Sequence, residues 1–350
     1  MPSAKFSAAD VPANASDVDA TAWHGVSRPD LAVIIVNFDT AQIVGDCLRS
    51  IDESRGELEL EIFVVDNGSV DGSVAFIREH FPWVTLIENP TNRGFGAANN
   101  QGLECCTAPF ALLLNSDTEV YPGALGRMLE VARERPDAAI VSCKLLDANG
   151  IPQPSASSLP ELGLQTASFL GLKRLLKPGR ARTLVAFPLV GRLFQRLTGG
   201  YFVPVASLSE PMQVEFVSGA CMLARREFWE TVGGFDEELF LYLEDADWCR
   251  RAKEAGWKLY FVPDVAVLHL GGQSFMQTSG GRTYHMSRER LTSLFYYFRK
   301  HEPRKVSTLK AVVLLSLTAR FAAARLRELR PNGDQEAAHL LQLLRLVRRA

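Results

Sequence analysis

The sequence lacks the features that mark several common protein classes. Its six cysteines are scattered over 350 residues and form no Cys-x-x-Cys pair. A disulfide scaffold or a zinc ribbon therefore has no support, and we expect reduced, buried thiols in a cytoplasmic protein. Acidic and basic residues nearly balance, with 40 Asp and Glu against 38 Lys and Arg. Overall charge thus gives no reason to expect a nucleic-acid partner.

Long hydrophobic runs are also scarce. Residues 1–28 are rich in Ala, Ser and Asp and lack the apolar segment of a signal peptide, so we expect a flexible tail. The most apolar C-terminal run, Ala311 to Ala319, is bracketed by Lys310 and Arg320. It is shorter than the roughly 20 residues that a bilayer requires. A spanning anchor is therefore not expected, whereas attachment to a membrane surface stays open.

Four catalytic motifs are missing as well, namely GxGxxG, GxxxxGK[ST], HExxH and GxSxG. Hydride transfer, P-loop hydrolysis, zincin chemistry and serine acyl transfer thus lose their usual support. The chain does have the composition of a globular protein, with 47% hydrophobic and 22% charged residues. Its length allows one large domain or two modest ones.

Apolar strands alternate with helical patterns in the first part of the chain. The predicted strands are Leu31–Asn37, Leu60–Val65, Trp83–Ile87 and Phe110–Leu114, and the predicted helices are 40–53, 72–80 and 95–104. This alternation is typical of βαβ units and predicts an α/β fold with a doubly wound, mostly parallel sheet flanked by helices. Ligands of such sheets bind at the carboxyl ends of the strands. Polar clusters follow three of the predicted strands, at Asn37–Asp39, Asp66–Ser69 and Asn115–Asp117.

The second part of the chain divides into three regions. Residues 151–213 form an insertion in which seven cations and no acid lie between Glu161 and Glu210, interleaved with Leu and Phe. Such a segment could lie on an anionic membrane or form a solvated helical hairpin over the core. The core pattern resumes over 214–300, with a helix beginning near Leu243 and two short strands at 257–262 and 266–268. Residues 301–350 read as a basic amphipathic helical tail, and 29–150 as a nucleotide-binding half.

Several polar residues in these regions are candidates for chemistry. Asn115 and Asp117 flank one residue, so both side chains can face the same side and offer oxygens to a divalent cation. The alternative is a turn or a helix cap. Glu244, Asp245 and Asp247 crowd together, which displaces carboxyl pKa values and favours a general base. These acids could equally be ordinary residues of a helical first turn.

Three further positions carry a functional and a structural interpretation. Asp66 ends a strand, where its carboxylate could bind a base edge or a ribose, or could simply form the turn. His269 ends another strand and could complete a metal shell or contact a phosphate, although a lone histidine is often structural. The stretch Asn92–Asn99 places Arg93 and two glycines between a strand and a helix, as in loops that approach a phosphate.

The order and spacing of these segments resemble a known family more closely than any one of them does. The matching segments are Val33–Phe38, Val64–Ser69 with Asp71–Ser73, Asn92–Gly96 with Asn99 and Asn100, Asn115–Asp117, Gly219–Leu223, Gly233–Glu237, Phe240 and Glu244–Asp247. From about Leu31 to Gly272, apart from 151–210, the chain is similar to family 2 glycosyltransferases of the GT-A fold. Within that family it resembles the rhamnosyltransferase-like members.

The resemblance implies a role for each matching residue. It implies that Asp245 is the general base, supported by Glu244 and Asp247, and that Asp117 and His269 hold Mg²⁺ or Mn²⁺. The residues implied to bind the donor nucleotide are Asn37, Phe38, Asp66, Asn67, Arg93, Asn115 and Ser116. Asn115 departs from the family pattern, because it stands where the first Asp of an Asp-x-Asp motif is expected and is a poorer metal ligand.

The resemblance also implies an activity. The expected enzyme is a metal-dependent, inverting glycosyltransferase that moves a sugar, most readily rhamnose from dTDP-rhamnose, to a hydroxyl of a glycan or polyprenyl-linked glycan. We expect it in the cytoplasm, with an anionic membrane surface on the inner face as a partner, and we expect no nucleic-acid partner. The oligomeric state is not indicated by the sequence.

Two other functions remain to be weighed against this one. A non-catalytic module that binds sugar nucleotides or polysaccharides is the main alternative, and Asn115 gives it some support. A nucleotidyltransferase would carry a Gly-rich, cationic loop after the first strand, whereas Asn37–Thr40 contains neither glycine nor a cation.

Overall fold

A computed structural model of the chain describes residues 28–170, 210–271, 282–327 and 334–349. Residues 1–27 of the expected tail and 171–209 of the expected insertion lie outside these ranges, so the predictions made for them stay predictions. The strands of the described residues are β1 Leu31–Asn37, β2 Leu60–Asp66, β3 Thr85–Glu88, β4 Phe110–Asn115, β5 Thr118–Val120, β6 Ala138–Leu146, β7 Pro152–Gln153, β8 Ala156–Ser157, β9 Met212–Val214, β10 Phe216–Val217, β11 Cys221–Arg225 and β12 Lys258–His269. The helices are α1 Ala41–Ser54, α2 Ser73–His80, α3 Phe95–Cys105, α4 Ala124–Glu134, α5 Leu162–Phe169, α6 Arg226–Val232, α7 Glu244–Glu254, α8 Arg282–His301, α9 Val306–Arg327 and α10 Asp334–Arg349.

One mixed sheet organises these elements. Its strand order is β3-β2-β1-β4-β11-β6-β12-β5, with β7 beside β6 and β9 beside β12, while β8 and β10 pair separately. The neighbours among β1, β2, β3 and β4 are parallel, as are β6 and β12. Strand β11 runs antiparallel between β4 and β6. The doubly wound, mostly parallel sheet predicted from the sequence is thereby confirmed.

Strand β1 shows why its sequence is apolar at every position. Leu31, Val33 and Ile35 pack into the core on one face of the sheet, and Ala32 and Ile34 pack into the core on the other. A strand covered by helices on both faces has no solvent side, so it needs no polar alternation. A third apolar cluster joins α8, α9 and α10.

Strand β12 is longer than the sequence predicted. The expectation of two short strands at 257–262 and 266–268 was wrong, since Lys258–His269 is a single strand. Its pairing with β6 slips between Val262 and Ala266, where Pro263 has no N–H to donate. The strand continues past this irregularity and pairs His269 with Thr118 of β5. One continuous strand therefore delivers His269 to the edge where β4 ends.

The C-terminal helices also differ from expectation. Among the described residues, one helical segment, Pro303–Leu326, is long and apolar enough to cross a membrane by length and composition alone. The run Ala311–Ala319 is thus part of a longer apolar helix than the sequence indicated, because the segment stays apolar beyond Arg320. The expectation that no anchor spans a membrane stays a prediction. A helix packed against a soluble protein can pass the same test. Ser316 in α9 donates a hydrogen bond of 2.7 Å to the backbone oxygen of Phe169 at the end of α5.

Candidate active site

A cavity of about 400 Å³ opens at the carboxyl ends of β1 and β4. It lies where parallel sheets place their ligands, since β1 stands between β2 and β4 and the direction of winding changes there. The predicted site residues that line it are Phe38, Asn67, Asn115, Ser116, Asp117, Glu244, Asp245 and His269. The predicted metal ligands and the predicted base thus face one space.

Asp117 and His269 form one end of the cavity. The antiparallel pairing of β5 with β12 brings His269 beside Thr118, and the backbone N–H of Leu270 donates to the Asp117 carbonyl at 2.9 Å. His269 Nε2 consequently lies 3.4 Å from Asp117 Oδ1. Asn115 Nδ2 lies 3.4 Å from the same ring nitrogen.

These donors fit a divalent cation that shares its ligands with a substrate. Within the described ranges, no group of three or more His, Cys, Asp and Glu side chains is placed to hold a metal by itself. A carboxylate and an imidazole supply two ligands, and Mg²⁺ commonly takes one or two carboxylates together with substrate phosphate oxygens and waters. Asn115 is neutral and presents its amide nitrogen toward His269. It therefore adds no negative charge beside Asp117.

Glu244 and Asp245 begin α7 at another wall of the cavity. The two preceding residues, Tyr242 and Leu243, have positive φ values of 68° and 69°, a conformation that costs non-glycine residues roughly 1–3 kcal/mol each. This turn precedes a helix whose first residues line the cavity. The Asp245 carboxylate accepts hydrogen bonds from the backbone N–H of Gly219 at 3.0 Å and of Ala246 at 2.8 Å.

The surroundings of these two carboxyl groups shift their pKa values by different amounts. Burial raises the pKa of Asp245, although the N–H groups of Gly219 and Ala246 oppose that rise. Burial, and then the charge of Asp245, raise the pKa of Glu244 well above its usual range. Glu244 is 6% exposed, and its Oε2 has no hydrogen-bond partner among the described residues. We therefore assign the ionised carboxylate to Asp245 and the retained proton to Glu244.

The backbone of the loop after β3 lies very close to the backbone of the segment before α7. Gly94 has a φ of +90°, and a side chain on it would place Cβ 2.5 Å from the backbone oxygen of Phe240. Phe95 donates its N–H to that oxygen at 3.1 Å, and Asn67 Nδ2 donates to the Gly94 carbonyl at 3.1 Å. Glycine at this position therefore lets the loop after β3 contact the segment that leads into α7.

Four predicted site residues do not line the cavity. The Asp66 carboxylate is occupied by the turn that follows β2, where it accepts hydrogen bonds from Asn37 Nδ2 at 2.7 Å and from Ser69 Oγ at 2.6 Å. Arg93 extends toward Glu237 at 3.5 Å, and both side chains are about half exposed. In this arrangement Asn37 and Asp66 shape the turn that follows β2, and their predicted contact with the nucleotide stays a prediction.

Asp247, the fourth residue outside the cavity, lies in an ionic cluster. It is fully buried and accepts from Arg251 at 2.8 Å, Lys300 at 2.7 Å and His301 at 2.7 Å. Burial by itself would raise the pKa of Asp247, but the hydrogen bonds from His301, Lys300 and Arg251 hold it well below its usual range. The contacts observed for Asp247 join α7 to α8.

No role was assigned from the sequence to several residues that the fold brings to the cavity or beside it. Phe240, Leu241 and Tyr242 line it from the segment before α7; the aromatic run in the sequence was the available signal. Gln153 contacts His269 from β7. Nothing in its Pro-rich and Ser-rich surroundings marks Gln153 as part of a site.

Comparison with known proteins supplies the remaining findings. The family model described as "Glycosyltransferase like family 2" matches residues 29–293. Over 250 residues the chain is 30% identical to the N-acetylglucosaminyl-diphospho-decaprenol L-rhamnosyltransferase of Mycobacterium tuberculosis, covering 68% of this chain and 75% of that protein. It is 28% identical over 259 residues to the pre-mycofactocin glycosyltransferase of the same species, covering 72% of this chain and 46% of that protein.

A solved structure confirms the fold. A mannosyltransferase from Pyrobaculum calidifontis, solved in complex with GDP-Man and Mn²⁺, superposes with a TM-score of 0.52 and 18% sequence identity. The match covers 92% of this chain and 86% of that one. The described sheet and its flanking helices therefore have the GT-A fold that the sequence predicted.

Proposed function

The chain belongs to the family described as glycosyltransferase like family 2, and we propose that it moves a sugar from a nucleoside diphosphate to a hydroxyl group with inversion. One observation carries this proposal: Asp117 and Asp245 line the same cavity. Inverting transfer needs a group near the leaving diphosphate and a base on the side of the incoming alcohol. Both are available within one space.

The end of the cavity formed by Asp117 and His269 is proposed to receive the diphosphate. Asp117 and His269 would hold Mg²⁺ or Mn²⁺, which when bound supplies positive charge beside the leaving diphosphate. Phe38 and Asn67 line the same cavity and are proposed to contact the nucleoside. Ser116, held by a 3.1 Å hydrogen bond from Thr40, would help to shape this wall.

The wall that carries Asp245 is proposed to activate the acceptor. The Asp245 carboxylate takes the proton of an acceptor hydroxyl as that oxygen forms a bond to the anomeric carbon. The bond from this carbon to the diphosphate oxygen breaks, and its electron pair leaves with the nucleoside diphosphate. General-base assistance of this kind is typically worth roughly 10²–10⁴-fold in rate. A single displacement inverts the anomeric configuration and requires no covalent intermediate.

Rhamnose is the proposed sugar, because the chain resembles a rhamnosyltransferase at 30% identity. We rank dTDP-rhamnose first among donors, then UDP sugars such as UDP-galactofuranose, then GDP sugars. The name of that relative includes a diphospho-decaprenol group. By analogy we propose a polyprenyl-linked glycan as acceptor.

With such an acceptor, we propose that the enzyme works at the cytoplasmic face of a membrane. Leu315 and Leu326 on α9 are 63% and 75% exposed, and their spacing is close to three helical turns, which puts them on one side. Arg348 and Arg349 end α10, and Lys310 of α9 donates to the Arg348 carbonyl at 3.0 Å. We propose that this helical pair, with exposed leucines along α9 and basic residues at the end of α10, contacts anionic lipid.

The proposed function is tested by measuring transfer directly. Purified protein is incubated with dTDP-rhamnose, a polyprenyl-diphosphate N-acetylglucosamine and Mn²⁺, and the anomeric configuration of the product is read by NMR. A thermal-shift panel of nucleoside-diphosphate sugars ranks the donors. Stabilisation by a donor without either transfer or donor hydrolysis would instead support a non-catalytic binding module, the alternative that Asn115 favours.

A further inference from the structure

Gln153 makes two hydrogen bonds to His269 at the edge of the cavity. It lies in β7, where it pairs with Leu145 of β6. Its Nε2 donates to the backbone oxygen of His269 at 2.8 Å. Its Oε1 lies 2.8 Å from Nδ1 of the His269 ring. One amide group is therefore hydrogen-bonded to both the backbone and the side chain of this histidine.

This double contact determines which ring nitrogen carries the hydrogen. A backbone carbonyl only accepts hydrogen bonds, so the NH₂ group of Gln153 must face the His269 oxygen. Its Oε1 is then the atom that faces Nδ1. An amide oxygen also only accepts, so Nδ1 must donate. In the neutral ring, Nε2 is left with its lone pair.

Nε2 faces Asn115 as well as Asp117. The amide nitrogen of Asn115 lies 3.4 Å from Nε2 and can donate to its lone pair. Asp117 Oδ1 lies 3.4 Å from Nε2, a separation at which a carboxylate oxygen and an unprotonated nitrogen repel each other. A divalent cation between them would turn this repulsion into shared coordination. Histidines that ligate metals almost always donate their other ring N–H to a protein acceptor, which orients the ring.

We propose that Gln153 is a positioning residue that fixes the orientation and tautomer of His269, so that Nε2 is free to bind a divalent cation together with Asp117. This inference rests on the proposed function only in taking the cavity as a metal-dependent donor site. A merely structural role, in which Gln153 ties β7 to β12, is the alternative. The two roles differ in their effect on the imidazole ring.

Three variants separate these roles. Gln153→Leu removes both hydrogen bonds, whereas Gln153→Glu keeps an acceptor for Nδ1 and loses only the donor to the backbone. Gln213→Leu is the matched control, since Gln213 is exposed on edge strand β9. Mn²⁺ binding to the full-length protein is measured by EPR titration without any sugar donor, so that waters fill the coordination positions that substrate oxygens would otherwise take. The His269 tautomer is read from two-bond ¹H–¹⁵N NMR correlations, assigned by loss of the signal in His269→Asn.

We expect Gln153→Leu to weaken Mn²⁺ binding about tenfold to a hundredfold and to populate the Nε2–H tautomer. Gln153→Glu should keep the Nδ1–H tautomer and bind Mn²⁺ within a few-fold of wild type, and Gln213→Leu should match wild type. The proposal is overturned if Gln153→Leu folds and leaves both the tautomer and Mn²⁺ binding unchanged. Should Gln153→Leu not fold, loss of the Nδ1–H tautomer in Gln153→Glu overturns it instead.

A failure of the proposal for Gln153 can be told apart from a failure of the proposed function. Neither the tautomer nor Mn²⁺ binding requires a donor, an acceptor or turnover. A wild-type protein that binds Mn²⁺ in a Gln153-dependent way but transfers no sugar contradicts the proposed function and leaves the role of Gln153 intact. If the wild-type protein transfers sugar but its Mn²⁺ binding does not depend on Gln153, the proposed function stands and the role of Gln153 is contradicted.

Discussion

Asp117 and Asp245 line one cavity from two different walls, Asp117 just after β4 and Asp245 in the first turn of α7. The bend at Tyr242 and Leu243 precedes α7, and Gly94 contacts Phe240 in the segment that leads into this helix. This relationship makes a single displacement at one sugar carbon possible. Separate cavities would have excluded it.

Removing the proposed base should abolish turnover without abolishing donor binding. Asp245→Asn is expected to lower kcat by roughly 10²–10⁴-fold, because general-base catalysis contributes a factor of that size. The donor dissociation constant, measured by calorimetry, should change little. Glu238→Gln is the control, since Glu238 is exposed and does not line the cavity. Near wild-type turnover by Asp245→Asn would reject this assignment.

The pH dependence of the reaction should report the raised pKa of Asp245. A base acts only when deprotonated, and burial raises this pKa. The acid limb of kcat/KM should therefore lie above pH 4, near which an ordinary aspartate titrates. Activity should be lost as the pH falls through that limb.

Glu244→Gln tests which of the two neighbouring acids holds the proton. Gln resembles a protonated carboxyl, so the acid limb of kcat/KM should stay where it is in wild type. The limb is measured across the pH range in both proteins. A limb that moves to clearly lower pH would show that Glu244 is charged in the wild-type enzyme, contrary to the raised pKa of Glu244.

Removal of the divalent cation should stop transfer, and Asp117 should govern its binding. EDTA is expected to abolish activity, and excess Mn²⁺ to restore it. Asp117→Asn should weaken Mn²⁺ binding by tenfold or more, because a charged ligand becomes neutral. Glu119→Gln, two residues further along the chain in β5, is the control that removes the same charge from a neighbouring position. Equal loss of Mn²⁺ binding in both variants would argue for a general electrostatic effect.

Asp247 should matter for stability rather than for chemistry. Asp247→Asn removes the buried negative charge that Arg251, Lys300 and His301 contact and should lower the free energy of unfolding by about 3–5 kcal/mol. Asp264→Asn, which breaks the surface pair with Arg127, should cost about 0–1 kcal/mol. Chemical denaturation at pH 7 measures both. A stable Asp247→Asn variant with impaired turnover would return Asp247 to the catalytic group.

The ionic cluster around Asp247 should also make the free energy of unfolding depend on pH. The folded state lowers the pKa of Asp247, so its stabilising contribution is complete above the ordinary aspartate value of about 3.9. It is lost progressively as the pH falls below that value toward the folded pKa. The stability difference between wild type and Asp247→Asn should therefore shrink below about pH 4.

Contact with lipid should depend on the exposed leucines of α9. The double variant Leu315→Glu with Leu326→Glu should reduce flotation with anionic vesicles, because it adds negative charge and removes apolar area. Neutral vesicles should bind wild type more weakly than anionic ones. If wild type stays with the soluble fraction in both cases, the proposed membrane contact is excluded.

The local pattern of the chain was sufficient to predict half of the sheet. Strands β1, β2 and β4 are apolar at nearly every position because helices cover both faces, and such runs are visible in a sequence. Strand β6, which lies between β11 and β12, was not predicted. The single strand β12 was predicted as two, because its pairing across the irregularity at Pro263 depends on β6 and β5 rather than on its own residues.

The sequence by itself determined the fold class and most of the candidate site, because polar residues that follow buried parallel strands meet at one edge of the sheet. Only the tertiary structure decided which of these polar residues face the cavity and which are buried elsewhere. Asp245 faces the cavity while Asp247, two residues later in the same helix, turns into a buried cluster with Lys300 and His301. Gln153 reaches His269 because β7 and β12 both pair with β6. Contacts between distant segments depend on strand pairing and helix packing, which no local spacing encodes.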